Sequence, residues 1–316
     1  PPPFSSRRRH TRLLTQSRGL GDVYKRQPIL VLHPQPINFK TLIRRCLEPS
    51  LYNAKVLNEF IHVASEESQT DYPVHIKFNT GLNRLGFWEN DVDFIVSKLQ
   101  ETSTVKVKSL FSHLAASEDL NEKVFTTNQI ESFKAITKNF ILKVGYRPML
   151  HICNTSGILN YPDAHFDMVR SGIGLYGFGN SEKEDNKFKP IASLKSVISQ
   201  IHNIEKGETV GYNRAYTSSE FQKTATIPVG HADGIGRQYG NGKGYVSIHG
   251  QKAPIIGNVC MDMIMVNITN IECSEGDQVI IFGKHPTASE FAETVNSISY
   301  EIITAISPRV KRIIIK

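Results

Sequence analysis

This chain is poor in the features that mark secreted and membrane proteins. Its 316 residues hold only four cysteines (Cys46, Cys153, Cys260 and Cys273), which are scattered and form no C-x-x-C pair. That scarcity indicates reduced thiols in a cytoplasmic protein, and we expect no metal site. No apolar run approaches the roughly 20 residues that a membrane-spanning helix needs. The length and a hydrophobic fraction of 40% suit one large or two medium soluble domains.

Acidic residues are almost missing from the first 27 positions, which contain one acidic residue, Asp22, and seven Arg or Lys residues. This segment carries +6 of the net charge of +7, so the rest of the chain is nearly neutral and no basic nucleic-acid-binding face is indicated. The segment lacks the apolar stretch of a secretory signal and any hydrophobic period. It resembles a translated sequencing adaptor, with a disordered basic arm or a transit-type peptide as alternatives. Only salt-sensitive DNA binding that disappeared on deleting it would favour a nucleic-acid binder.

From Pro28 onward, short apolar runs alternate with helical patterns. Such alternation is typical of βαβ units and predicts a parallel sheet. The runs that read as strands are 28–33, 50–53, 74–79, 107–114, 149–154 and 166–170. The helical patterns are 37–47, 54–66, 90–100 and 128–141.

Polar residues stand where these predicted strands end. They are Lys77, His113, Asn154 and Arg170, with Arg84 just beyond in "NTGLNRLGF". A (β/α)8 barrel builds its active site from such strand ends. The sequence therefore predicts a barrel over 28–185, with six strands in place of eight and its first two strands missing.

The pattern changes after about residue 188 to short β-rich segments separated by glycine-containing turns. This predicts a second, mostly antiparallel β domain over 190–316, joined by a linker at 182–189. Thr287 and Glu290 form a T-x-x-E capping box before a helical pattern that runs to about residue 306.

Several motifs have an ordinary structural interpretation when taken singly. Gly172, Gly174 and Gly177 fit G-x-G-x-x-G, but a polar loop follows instead of a helix, so a dinucleotide site is rejected and a phosphate site stays open. Asn154 could cap a helix, and Tyr212 between Gly and Asn could belong to a turn.

In chain order, however, these motifs resemble the alanine racemase family of pyridoxal 5′-phosphate (PLP) enzymes. The resemblance runs from about Pro28 to the C-terminus. It is carried by "VHIKFNTGLNRLGF", "FSHLAASED", "HICNTSGIL", "FDMVRSGIGLYG", "ETVGYNRAYTS", "IPVGHADGI", "APIIGNVCMDM" and "SYEIITAISPRVKR". The sequence is most similar to the racemase part of chains that carry a Mur-type ligase upstream.

The resemblance implies interconversion of L- and D-alanine by two bases, supplying D-alanine for peptidoglycan. One base is a lysine that also anchors PLP, and the other is the tyrosine matched by Tyr212. A phenol titrates near pH 10, so it needs neighbours that favour phenolate, a role implied for His113 and Arg170. His113 is expected against the cofactor ring and Arg170 against the pyridine nitrogen.

The resemblance also implies the binding residues. Asn154, Thr155 and the backbone at Gly172 and Ile173 are expected to hold the phosphate. Arg84 and Met261 are expected to hold the substrate carboxylate. Lys77 matches a lysine that is carbamylated in many relatives. The family further implies a head-to-tail homodimer, in which Tyr212 and Met261 act on PLP bound by the partner chain.

The sequence departs from the family pattern at three points. The V-K-A-x-A-Y-G stretch that carries the PLP lysine has no match, so we expect an N-terminally truncated fragment that is inactive as written. His231 and Pro308 stand where many relatives have tyrosines, near the substrate access route and the phosphate. Alternatives are another amino-acid racemase such as a serine racemase, a non-catalytic scaffold, or a PLP carrier, although the carriers lack a β domain.

Overall fold

The computed structural model describes residues 27–315 and contains two compact units. The first ends at Leu175 and the second begins at Tyr176. Apart from residue 27, the predicted leader lies outside the described residues. No helix within the described range is both long enough and apolar enough to cross a membrane.

The first unit is built on a parallel sheet whose five strands lie in chain order. They are β1 Leu30–Val31, β2 Glu48–Leu51, β3 Tyr72–Lys77, β4 Val105–Phe111 and β5 Met149–His151. The helices that alternate with them are α1 Phe39–Arg44, α2 Ala54–Glu66, α3 Val92–Gln100, α4 Lys123–Val144 and α5 Thr155–Asn160. Helical crossovers join the parallel strands, which confirms the predicted barrel-type fold over this range.

The helix α2 shows how the sequence directs this arrangement. Asn53 caps it by accepting the backbone N–H of Val56, which would otherwise lack a partner in the first turn. Leu57, Phe60 and Ala64 then follow at helical spacing and are fully buried. Phe60 also meets the Phe39 ring edge-on at 5.1 Å, which joins α2 to α1 in the same core.

The predicted sixth strand at 166–170 does not form. Asp167 folds back onto β5, where its Oδ2 accepts the backbone N–H of Leu150 at 2.8 Å. Only two backbone bonds tie the segment to β5 and its extension, from Asp167 N to Leu150 O and from Arg170 N to Cys153 O. A carboxylate therefore takes an edge position that a strand would occupy, and the apolar Val169 is exposed where a buried strand would cover it.

The second unit contains a seven-stranded antiparallel sheet, which confirms the predicted β domain. Its strands are β6 Leu194–Val197, β7 Gln200–Ile204, β10 Gln222–Ile227, β11 Tyr245–Ile248, β12 Gln251–Ile256, β13 Ile264–Asn267 and β14 Gln278–Phe282. They lie in the order β6-β14-β11-β12-β13-β10-β7. A separate small hairpin pairs β8 Thr209–Val210 with β9 Tyr216–Thr217.

The helices of the second unit differ in detail from the sequence prediction. The segment predicted as a linker contains a short helix, α6 Glu182–Asp185. The predicted capping box forms at the start of α7, Ala288–Glu293, with Thr287 and Glu290 bonded reciprocally. The single helix expected after it is divided, because Asn296 adopts φ 55° and α8 begins anew at Ser299–Ala305.

Candidate active site

A ring at the end of β4 organises the cations of the first unit. The ammonium of Lys77 lies 5.9 Å from the centroid of the Phe111 ring, and the guanidinium of Arg170 lies 5.3 Å from it. His151 stacks on the same ring at 4.9 Å with an interplanar angle of 7°. Cations and an aromatic face attract each other, so Phe111 is a platform that gathers Lys77 and Arg170.

Arg170 is held by acceptors from two neighbouring segments, 112–113 and 151–152. Its Nη1 donates to Nδ1 of His151. Its Nη2 lies 2.7 Å from the carbonyl of Ser112, 3.2 Å from that of Ile152 and 3.2 Å from Nδ1 of His113. The structure therefore brings together Arg170 and His113, two residues for which the sequence predicted a shared network.

These positive groups change one another's proton affinity. Burial, then Arg84 and Arg170, lower the pKa of Lys77 to about 8. Burial and the nearby Arg170 guanidinium lower the pKa of His113 to about 3, so this imidazole is neutral at physiological pH. Burial lowers the pKa of Arg170 to about 10, which still leaves it charged.

The cluster has no built-in counter-ion. No ion pair joins Lys77, Arg84 or Arg170 to a carboxylate in the part of the chain that the structure describes. Concentrated positive charge beside an aromatic ring suits an anionic ligand. Nor does any group of three or more His, Cys, Asp or Glu between residues 27 and 315 have the arrangement of a metal site.

A turn next to this cluster is organised by Thr155. The Thr155 Oγ1 accepts the backbone N–H of Gly172 at 3.0 Å and that of Gly174 at 3.3 Å. Asn154 serves as the cap of α5, since its Oδ1 accepts the backbone N–H of Gly157 at 2.9 Å and the hydroxyl of Ser117 at 2.8 Å. Thr155 and Gly172 thus lie together, with Ile173 in the same turn.

The loop that carries Arg84 is shaped by Asn79, a residue that the sequence analysis did not single out. Its Oδ1 accepts the backbone N–H groups of Gly81 at 3.2 Å and Asn83 at 2.9 Å. The loop closes on β3, because Phe87 donates its backbone N–H to the carbonyl of Lys77 at 2.9 Å. Arg84 itself is exposed, yet its charge acts on Lys77 and His113.

Tyr212 lies in the second unit, in the turn between β8 and β9. Gly211 at φ 78° and Asn213 at φ 58° make this turn, because glycine and asparagine tolerate the left-handed region. Tyr212 is 73% exposed. The Tyr212 carbonyl accepts Nδ2 of Asn258 at 3.0 Å, which ties the turn to the loop after β12.

Met261, His231 and Pro308 lie in neighbouring loops of this same unit. The carbonyl of Met261 accepts the backbone N–H of Ala232 at 2.8 Å, and the carbonyl of Cys260 accepts that of His231 at 3.0 Å. Asp233 links the loop of His231 to the segment that holds Pro308, because its Oδ1 accepts the Nε–H of Arg309, the residue after Pro308, at 2.6 Å. The predicted site residues are therefore divided between the two units: Tyr212 and Met261 belong to the second unit, and the cluster around Phe111 belongs to the first.

Comparison with known proteins agrees with this division. The family model "Alanine racemase, N-terminal domain" matches residues 17–179, and "Alanine racemase, C-terminal domain" matches residues 191–314. The fold and site thus define a two-domain protein with a parallel barrel-like part and a β part. The chain belongs to the alanine racemase family.

Individual relatives extend over most of the chain. An alanine racemase of Clostridium perfringens is 34% identical over 316 residues, covering 95% of this chain and 80% of the relative. The structure of alanine racemase from Bacillus anthracis with bound L-Ala-P has a TM-score of 0.84 at 26% identity, covering 92% of this chain and 76% of that one. A Bartonella henselae alanine racemase with covalently bound pyridoxal phosphate has a TM-score of 0.79 at 26% identity, covering 92% and 80%.

Proposed function

We propose that this protein interconverts L-alanine and D-alanine with PLP. The observation that carries the proposal is the cationic cluster around Phe111, which has no carboxylate partner in the described part of the chain and adjoins the turn organised by Thr155. This donor set fits PLP, an aromatic ring that bears a phosphate. When bound, PLP supplies an electron sink that makes the α-proton of the amino acid acidic.

The residues of the first unit would bind and orient the cofactor. Thr155 Oγ1 already accepts two backbone N–H groups, and its own hydroxyl proton can be donated to a phosphate oxygen beside Gly172 and Ile173. Asn154 supports the same turn as the cap of α5. His113, neutral and bonded to Arg170, would pack against the ring, and the fixed positive charge of Arg170 would face the pyridine nitrogen.

Tyr212 is proposed as one of the two bases. Tyr212 is 73% exposed, so its side chain is available to contact a ligand bound by another subunit. A head-to-tail homodimer would bring Tyr212 and Met261 of one chain to the cofactor of its partner. Arg170 and His113 would then favour the phenolate of that tyrosine.

The substrate carboxylate would be held by Arg84 and by the backbone at Met261. Lys77 would carry a carbamate that orients Arg84. Its lowered pKa, about 8, supports this because roughly a tenth of the amine is then uncharged at pH 7 and able to react with CO₂. The intact mass of the native protein, measured in bicarbonate buffer, should be higher by one CO₂ than that of Lys77→Met after correction for the substitution.

The second base and the covalent anchor of PLP are proposed to come from a V-K-A-x-A-Y-G-like stretch upstream of Pro28, and a Mur-type ligase domain would precede it. The product would be D-alanine for peptidoglycan in the cytoplasm. Sequencing the native gene upstream of the codon for Pro28 tests the first point. If no lysine stretch precedes that codon, the racemase activity is withdrawn for this chain and a non-catalytic PLP-binding protein remains.

The activity itself is tested on the chain extended by its native upstream sequence. Circular dichroism should follow loss of L-alanine, and Tyr212→Phe should lower kcat by about 10²–10⁴-fold, the usual contribution of one acid–base group. Tyr216→Phe removes a hydroxyl from the same segment and should leave kcat within about twofold. A larger kcat/KM for serine than for alanine would instead identify a serine racemase.

A further inference from the structure

A row of hydrogen-bonded side chains crosses one face of the parallel sheet in the first unit. It runs from Arg170 through His151 on β5, Ser109 on β4 and His75 on β3 to Glu48 on β2. The four sheet members are at most 6% exposed. His75, Ser109 and His151 fall inside strands predicted from the sequence, whereas Glu48 precedes the predicted strand 50–53, and the row itself was not predicted.

The contacts among the sheet members are of hydrogen-bond length. Arg170 Nη1 bonds to His151 Nδ1. His151 Nε2 lies 2.8 Å from Ser109 Oγ, which lies 2.6 Å from His75 Nδ1. His75 Nε2 lies 2.9 Å from Glu48 Oε2. One of these pairs also matches the sheet register, since His75 lies directly opposite Ser109.

When both imidazoles are neutral, the two ends of the row fix the direction of every bond within it. A guanidinium can only donate, so His151 Nδ1 accepts and its proton must lie on Nε2. His151 then donates to Ser109, whose hydroxyl donates to His75 Nδ1. His75 therefore carries its proton on Nε2 and donates to Glu48, an ionised carboxylate that can only accept.

The carboxylate end is maintained by a β-bulge. Between Val74 and His75 the register of β3 against β4 shifts by one residue, which leaves Lys108 as the extra residue of β4. The Lys108 ammonium lies 3.1 Å from Glu48 Oε1. Burial alone would raise the pKa of Glu48, but its bonds to His75 and Lys108 outweigh this and lower that pKa, so the carboxylate stays ionised.

We propose that His151, Ser109 and His75 are positioning residues that hold the guanidinium of Arg170 in one orientation, with Glu48 fixing the direction of the protons. The imidazole of His151 is clamped twice, by its stack on Phe111 and by Ser109, so Nδ1 remains aimed at Nη1 of Arg170. Burial and the nearby Arg170 keep His151 neutral, with a pKa of about 2. The purpose of this positioning, to present Arg170 to the cofactor, rests on the proposed function.

The test uses the 316-residue chain labelled with ¹⁵N and reads the imidazole tautomers by NMR, which requires neither cofactor nor turnover. In the native chain, His151 and His75 should each show a single tautomer protonated on Nε2. In Ser109→Ala, His151 should show both tautomers in exchange, and the Nη resonances of Arg170 should broaden. Ser50→Ala is the matched control, because it removes another fully buried hydroxyl of this sheet, one that bonds the carbonyl of Leu32 outside the row.

A merely structural serine predicts a different result. Both alanine variants would then lower the unfolding temperature while His151 kept its single tautomer and Arg170 its sharp resonances, which would overturn the proposal. An Nδ1-protonated His151 in the native chain would also overturn it. Should Ser109→Ala fail to fold, His75→Phe interrupts the row one step further along, and the same release of His151 is expected. Because no readout involves alanine, failure of the racemase proposal leaves this result unaffected.

Discussion

The ammonium of Lys77 lies 5.9 Å from the centroid of the Phe111 ring, the residue is 7% exposed, and no carboxylate among residues 27–315 forms an ion pair with it. Burial together with Arg84 and Arg170 lowers the pKa of this lysine to about 8. A buried amine with so low a pKa couples stability to pH and reports the charges around it. Both properties can be measured.

Replacing Lys77 by methionine should stabilise the chain in CO₂-free buffer below pH 8. The folded-state pKa, about 8, is below the ordinary 10.5, so the unfolded chain binds the proton more tightly. The native chain is therefore penalised by up to about 3 kcal/mol below pH 8, and it recovers this as pH rises to 10.5. Urea unfolding should show a gap between variant and native chain at pH 7 that closes by pH 10.5.

The control for that experiment is Lys55→Met, which changes a lysine side chain that is 78% exposed. It should show no gap that varies with pH. A constant difference between Lys77→Met and the native chain from pH 7 to pH 10.5 would mean that Lys77 titrates normally.

Arg84→Gln should raise the pKa of Lys77 above 8, because Arg84 is the largest charge effect on that amine after burial. The ¹³Cε shift of Lys77 followed through a pH titration measures this directly. Arg147→Gln provides a matched control, since that arginine is also exposed and pairs with Asp167. If the pKa of Lys77 were the same in Arg84→Gln as in the native chain, the Arg84 guanidinium would lie too far from Lys77 to affect it.

Thr155→Val should weaken PLP binding by about tenfold, the effect of losing roughly one hydrogen bond to a charged group. The change keeps the shape of the side chain but removes the acceptor for the N–H groups of Gly172 and Gly174. Thr155→Ser retains that oxygen and should bind PLP nearly as well as the native chain. Equilibrium dialysis measures both, and equal affinities for Val and Ser variants would contradict the role given to Thr155.

Gly86→Ala should destabilise the first unit by more than about 3 kcal/mol. Its φ is +136°, and an added Cβ would lie 2.5 Å from the backbone N of Asn79, in the loop that carries Arg84. Gly145→Ala is the comparison, because Gly145 also has positive φ but its Cβ would meet nothing within 4 Å, so about 1 kcal/mol is expected. If urea unfolding showed similar losses of stability for both variants, the positive φ, and not the close approach of the added Cβ to the backbone, would account for the destabilisation.

The sequence located much of this site because strand ends leave a simple pattern. Lys77 was predicted near the end of a strand and is the last residue of β3, and His113 follows the end of β4 by two residues. Arg170 was found for the wrong reason, since its predicted strand is an irregular segment held by Asp167. Local alternation could not reveal that a carboxylate would fold back onto the edge of β5.

The residues that sequence reasoning missed are those whose partners lie on other strands. Phe111 and His151 look like core positions until the register places them side by side. One signal was available: His75 and Lys77 occupy alternate positions of a strand that is otherwise largely apolar, and Ser109 lies in the buried part of the next strand. Polar groups on one face of a buried sheet must find partners there, which is a reason to look across neighbouring strands.

The hydrogen-bonded row from Arg170 to Glu48 does not conduct protons at neutral pH. To carry a proton along it, Arg170 would have to release one, and with a pKa of about 10 it keeps its protons at neutral pH. The buried side chains of the row therefore neither supply protons to the site nor take them up from it through Arg170. At neutral pH the row therefore holds Arg170 in place without passing its protons to Glu48.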